Sequence, residues 1–292
     1  METMIAKILV PLDGSELAEQ ILPYAGAFSS ALKVPLELYS VDQPGIESLC
    51  TPEGGLEDYL AKVRDRLSVK GISTSHHVES GDPAQLIAAR AGSDSGTMIA
   101  IATHGMSGIQ RLFLGSVAYK VIHMAKNPML LVRPVTEHDK TKSFQLKSVF
   151  VPLDGSGLAE KILPFVISLA KSMKMDVVLI RAYTSPAESF VVGDGVLLSG
   201  LQRIRDGMRQ EIDTYLNGKV EQLQAEGLNQ VSAIAVEGEG AEEIIDVARK
   251  TPDNLIAMST HGRSGLERWT LGSVTEKVIH HSGDPVLIIR PT

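Results

Sequence analysis

Two stretches of the 292-residue chain carry residues suited to holding an anion. THGMSGIQRLFLGS begins at Thr103 and THGRSGLERWTLGS at Thr260, 157 residues later, with nine of fourteen positions identical. Each ends in Gly-Ser directly before a helical pattern. Such a helix start offers free backbone N–H groups at the positive end of a dipole, and Gly lets a phosphate approach the chain closely. Ser116 and Ser273 then have two readings: a hydroxyl offered to a phosphate oxygen, or a plain N-cap. Repetition does not choose between them, since duplication copies structural loops too.

Other residues invite sharper chemistry and fail to complete it. His104 and His261 sit inside the two loops, but a metal centre needs several convergent ligands, and only an Asp from another strand is near in the pattern. The pairs His76-His77 and His280-His281 are adjacent in sequence, so their side chains diverge; both read as structural or surface histidines. Asp13, His104 and Ser116 can be written as a hydrolase triad, yet no G-x-S-x-G elbow presents the serine. Arg111 and Arg268 recur within the loops, as phosphate partners or as solvated cations. There is no GxxxxGK[ST] loop, and the first turn, LDGSEL, lacks GxGxxG.

The elements that position these loops are themselves repeated. VPLDGS occurs at Val10 and again at Val151, and GSVAYKVIHMAKNPMLLVRP from Gly115 parallels GSVTEKVIHHSGDPVLIIRP from Gly272. The offset grows from 141 residues at Val10 to 157 at Thr103, so the second copy carries 16 extra residues. They fall after its second strand, near 184–200. Within a copy, short apolar runs alternate with helical spacing, and Ser15 is placed to cap the first helix while Pro23 predicts a kink in it. Alternation of this kind predicts right-handed crossovers and a parallel sheet covered on both faces. The expected architecture is two tandem doubly wound α/β domains, each with five parallel strands: residues 1–136, a polar linker over 137–145, and 146–292.

Composition agrees with that class. Hydrophobic residues reach 43% and aromatics only 4%, so the cores must be filled by Val, Ile, Leu and Ala. A net charge of −7 leaves no basic footprint for nucleic acid. The single cysteine, Cys50, allows no intrachain disulfide and no thiolate cluster. The opening METMIAKILVPLDGS lacks a signal-peptide pattern and no long apolar run follows, so a cytoplasmic chain without membrane contact is expected.

Strand-VPLDGS-helix, THG-x9-GS and the closing PVLIIRP together resemble the universal stress protein family in tandem form, across almost the whole chain. The resemblance implies a strand order of 3-2-1-4-5 in each copy. It implies ATP binding through a motif G-x2-G-x9-G-[ST], met in one branch of the family and lost in another. On this sequence the motif falls on Ala102, Gly105, Gly115 and Ser116, and on Ser259, Gly262, Gly272 and Ser273. Ala102 and Ser259 depart from the motif's first Gly. That is costly if the backbone needs positive φ and harmless if it only donates an N–H.

By the same resemblance Pro11, Asp13, Val41 and Val117 join the first site, and Pro152, Asp154, Ala182 and Val274 the second. Asp13 and Asp154 would approach the ribose or a Mg²⁺ ion carried by ATP, because a bare carboxylate repels a triphosphate. Val41 and Ala182 would offer backbone to the adenine edge. The last strand of each copy is expected to pair with the other, making one chain a pseudo-dimer, with further homodimers left open. The implied function is ATP-dependent regulation through conformation or partner binding. The alternatives are a dimeric stress scaffold without nucleotide and a slow ATP hydrolase, for which no general base is identifiable. The first site is expected to bind the more tightly, because the second has GEGAEEI where the first has GDPAQLI.

Overall fold

A computed structural model describes residues 5–43, 54–104, 114–134, 145–185, 195–260 and 271–291, the side chains of 195–201 excepted. In the first copy β1 (Lys7–Pro11) leads into α1 (Glu16–Glu19) and α2 (Leu22–Leu32), then β2 (Leu36–Asp42), α3 (Gly55–Ser68), β3 (Thr74–Ser80) and α4 (Pro83–Gly92). β4 (Thr97–Ala102), α5 (Ser116–Met124) and β5 (Met129–Val132) complete it. The second copy repeats the order as β6 (Ser148–Pro152), α6 (Gly157–Glu160), α7 (Leu163–Met173), β7 (Asp176–Tyr183), α8 (Gly195–Ala225) and β8 (Val231–Glu237). It ends in α9 (Gly240–Arg249), β9 (Asn254–Ser259), α10 (Ser273–His281) and β10 (Val286–Ile289).

All ten strands form one sheet in the order β3-β2-β1-β4-β5-β10-β9-β6-β7-β8. Each half is parallel and has the strand order 3-2-1-4-5. The halves meet where β5 and β10 pair antiparallel, with Leu131 opposite Val286 and Met129 opposite Ile288. This is the expected contact between last strands, and it leaves neither of them as an exposed edge. One face of the sheet is covered by helices of both copies in a continuous apolar layer that contains Phe28, Leu60, Leu169 and Leu216. Across the seam α2 packs on α7. The opposite face carries α4, α5, α9 and α10, with Ile87, Val121, Ile244 and Val278 buried against the strands. Ile8, Leu9 and Val10 are fully buried, as a strand covered on both faces requires.

Ser15 caps α1 as expected, accepting from the Ala18 N–H at 3.1 Å. Pro23 does more than kink the helix: the chain breaks at Gln20-Ile21 and restarts as α2 with the proline in its first turn, where a missing N–H costs nothing. The same break recurs before α7. The extra length of the second copy extends a helix, since α8 runs 31 residues where α3 runs 14. Residues 186–194 of the expected insertion, with Phe190, Val191 and Val192, lie outside the described residues, as do most of the linker and both loop centres with His261, Arg111 and Arg268.

Candidate functional site

The turn after β1 is fixed by its own residues. Gly14 takes φ of 86°, and the Asp13 carboxylate receives both the Ser15 N–H (3.0 Å) and the Ser15 hydroxyl (2.6 Å). The second copy repeats this with Gly155 at 84°, Asp154, and Ser156 at 2.9 and 2.6 Å. One oxygen of each aspartate thus holds the loop in shape, a role the motif alone does not reveal.

After β4 the chain returns to the sheet where the Gly115 N–H donates to the Thr103 carbonyl at 2.7 Å. Gly115, not Ser116, is the N-cap of α5, and no side chain caps that helix. Gly272 does the same for α10. The capping reading of Ser116 and Ser273 is therefore corrected: both stand at the first helical position, and the first-turn N–H groups have no side-chain acceptor at the cap. A Cβ on Gly115 would lie 3.1 Å from the Thr103 oxygen, and one on Gly272 only 2.7 Å from the Thr260 oxygen. Glycine is needed here for close approach of two backbones.

Ala102 and Ser259 end their strands. Neither has positive φ; among the described residues, those that do outside glycine are Lys33, Lys174 and Asp253. The departure from the motif glycine brings no backbone strain and adds only a small side chain.

These pieces border one cavity of about 290 Å³ at the carboxyl ends of β1, β2 and β4. Pro11 and Asp13 line it from the first turn, Val41 from β2, Ala102 from β4, and Gly115, Ser116 and Val117 from the start of α5. Ligands of open α/β sheets bind at such strand ends. Gly105 lies outside the described residues. Tyr39 and Leu56, which no motif marked, form the apolar side with Pro83 and Ile87 of the GDPAQLI stretch. Tyr39 is fully buried and its hydroxyl donates to Glu79 at 2.6 Å. Burial and that carboxylate push its ionisation up, so it stays a neutral wall. Only its helical neighbours could have pointed to Leu56 and Ile87, since apolar lining looks like core in a sequence.

In the second copy a cavity of about 350 Å³ overlaps the equivalent place at the ends of β6 and β7, but it extends toward α8 and away from the start of α10. Of the expected residues Asp154 and Ala182 line it, whereas Pro152, Ser259, Gly272, Ser273 and Val274 are not in its lining. Gly262 lies outside the described residues. Arg181 and, from the long α8, Met208, Glu211 and Ile212 take part instead. No motif marked Arg181.

A family model described as the universal stress protein family matches residues 4–133 and again 145–290. The chain belongs to the universal stress protein family. Among curated relatives, a universal stress protein of Methanocaldococcus jannaschii is 31% identical over 144 residues, spanning 49% of this chain and 82% of that one. A universal stress protein of Mycolicibacterium smegmatis is 21% identical over 308 residues and 97% of both chains. Among solved structures, a universal stress protein from Archaeoglobus fulgidus superposes with a TM-score of 0.70 over 98% of both chains at 22% identity, which speaks for a shared tandem fold. No described helix of this universal stress protein is long and apolar enough to cross a membrane.

Proposed function

We propose that the first copy binds an adenine nucleotide, ATP in the first instance, and that occupancy regulates which surface the chain offers to a partner. The observation that carries this reading is the junction of Gly115 and Ser116. It brings an N-terminus without a side-chain cap, a hydroxyl at the first helical position and a close backbone approach to one cavity. Phosphate oxygens fit such a helix start. The base would lie against Val41, Leu56 and Ile87, which make the other side apolar.

Asp13 borders the same space, and its charge calls for a ribose hydroxyl or for a cation travelling with the phosphates. Among the described residues no three His, Cys, Asp or Glu side chains converge as a resident metal site, so Mg²⁺ would arrive with the nucleotide. The role of Mg²⁺ when bound would be to neutralise phosphate charge beside Asp13; Ser116 and the α5 amides would orient the phosphates.

Two measurements test the reading. Mass spectrometry of gently purified protein should find adenine nucleotide, and millimolar Mg-ATP should raise the melting temperature by mass action. Ser116→Ala and Asp13→Asn should each shrink that shift. A wild-type chain that carries no nucleotide and shows no shift would favour a scaffold that works without one.

A further inference from the structure

We propose that the second copy, at the place equivalent to the first cavity, takes a different ligand, a small oxyanion such as a carboxylate or a phosphate monoester, with Arg181 as its recognition residue. Arg181 is only 8% exposed and lines the cavity between β7, α8 and the start of α9. Its equivalent in the first copy is Ser40, whose buried hydroxyl donates to the Leu12 carbonyl at 2.7 Å. The equivalence follows from the registers, in which Val10 faces Leu38 and Val151 faces Leu179. A guanidinium therefore stands where the other copy needs only a hydroxyl.

Among the described residues, no hydrogen bond or ion pair engages this guanidinium; its contact is the Tyr215 ring, 5.1 Å from the ring centroid. Tyr215 is itself held, donating to Glu160 at 2.9 Å, and Lys219 pairs with the same carboxylate at 2.6 Å. The ring thus fixes the guanidinium without satisfying its donors. None of its nitrogens is among the buried unpartnered polar atoms of the described residues, so the N–H fork opens to water in the cavity, where a planar oxyanion can answer it.

A second difference between the copies points the same way. In the first, Asp82 caps α4 by accepting the Gln85 N–H at 2.9 Å, and Pro83 has no N–H to give. In the second, Glu239 makes no capping bond and sits 3.5 Å from Lys277 instead, while Gly240 lines the cavity beside Arg181. The N-terminus of the ten-residue helix α9 is thereby opened toward the cavity that Arg181 lines.

Two carboxylates limit the ligand's charge. Asp154 and Glu211 also border the cavity, the first with one oxygen engaged by Ser156 and the second exposed to solvent. They oppose a triphosphate and tolerate a small ligand with one oxyanion group. This site does not depend on the nucleotide reading of the first copy.

The test titrates full-length protein with inorganic phosphate and, separately, with citrate at matched ionic strength, following the melting temperature. A saturable rise is expected for the wild type. Arg181→Ser should weaken it at least tenfold while leaving any Mg-ATP response intact, and should melt no lower than the wild type in anion-free buffer. Arg181→Lys and the pair Glu239→Asp with Gly240→Pro should weaken it too, which keeps the test decisive if the serine variant misfolds. A response to phosphate alone identifies a phosphoryl ligand, and one to citrate alone a carboxylate. No saturable response to either probe overturns the proposal. So does a response unchanged by these variants, or one lost with Ser116→Ala instead.

Discussion

Arg133 and Arg290 each reach across the seam to close the end of a helix in the other copy. Arg133 donates to the His280 carbonyl of α10 at 3.1 Å, and Arg290 donates to the Ile122 and His123 carbonyls of α5. His123 and His280 are equivalent positions, so the exchange follows the pseudo-two-fold of the β5–β10 ladder. Terminal carbonyls of a helix are natural acceptors for a cation. Burial lowers the ionisation of Arg290, yet arginine remains charged at any ordinary pH. Replacing both arginines with Met should cost about 2–4 kcal/mol, charged hydrogen bonds being partly offset by relief of buried charge. Urea unfolding should also separate into two transitions; a curve matching the wild type would mean that the ladder alone couples the copies.

The two motif glycines should respond unequally to substitution. A side chain at Gly272 meets the Thr260 oxygen at 2.7 Å and one at Gly115 meets the Thr103 oxygen at 3.1 Å. Both obstacles are backbone, so neither yields easily. Gly272→Val should lower the melting temperature more than Gly115→Val, and both should lower it measurably. Valine at these sites is consequently not a clean probe of binding.

Restoring the motif glycine should not stabilise the chain. Ala102 is a strand residue without positive φ, so Ala102→Gly relieves no strain and only frees the unfolded chain. A loss of about 0.5–1 kcal/mol in denaturant unfolding is expected. A gain would show that Ala102 is strained after all.

Acid stability should report on Glu37. Its buried carboxylate pairs with Lys7 at 2.8 Å and with Arg90. Burial pushes the carboxyl up, but the two cations outweigh it and the net shift is downward from 4.5. A lowered folded value means that this stabilisation is present above pH 4.5 and is lost as pH falls through the folded value. Glu37→Gln should cost about 2–3 kcal/mol at pH 7, less than a fully buried pair because Arg90 still meets water. Its stability should then vary less than the wild type's below pH 4.5.

The fold was legible because two independent periodicities agreed, twice. The helical pattern that follows Gly115 is α5, which starts at Ser116. The break at Pro23 was visible as a kink only, since spacing does not distinguish a bent helix from two short ones. The first cavity was legible through its turn and loop residues. Its apolar wall was hidden, as Leu56 and Ile87 carry no signal apart from core. Arg181 was hidden for the opposite reason: in the run VVLIRA a lone charge reads as a strand end reaching solvent, whereas the length of α8 places Tyr215 over it.

The antiparallel seam also gives the molecule a direction. Strands of the first half run opposite to those of the second, so their carboxyl ends emerge at opposite margins of the sheet. A symmetric pair of single-copy chains would present the same cavity at both margins. Here one margin carries the cavity of Ser116 and the other that of Arg181. A ligand arriving at one margin would meet one chemistry, and a ligand at the other margin the second. With both proposed sites filled, the duplicated chain would hold two unlike ligands at opposite margins, where they share no contacts.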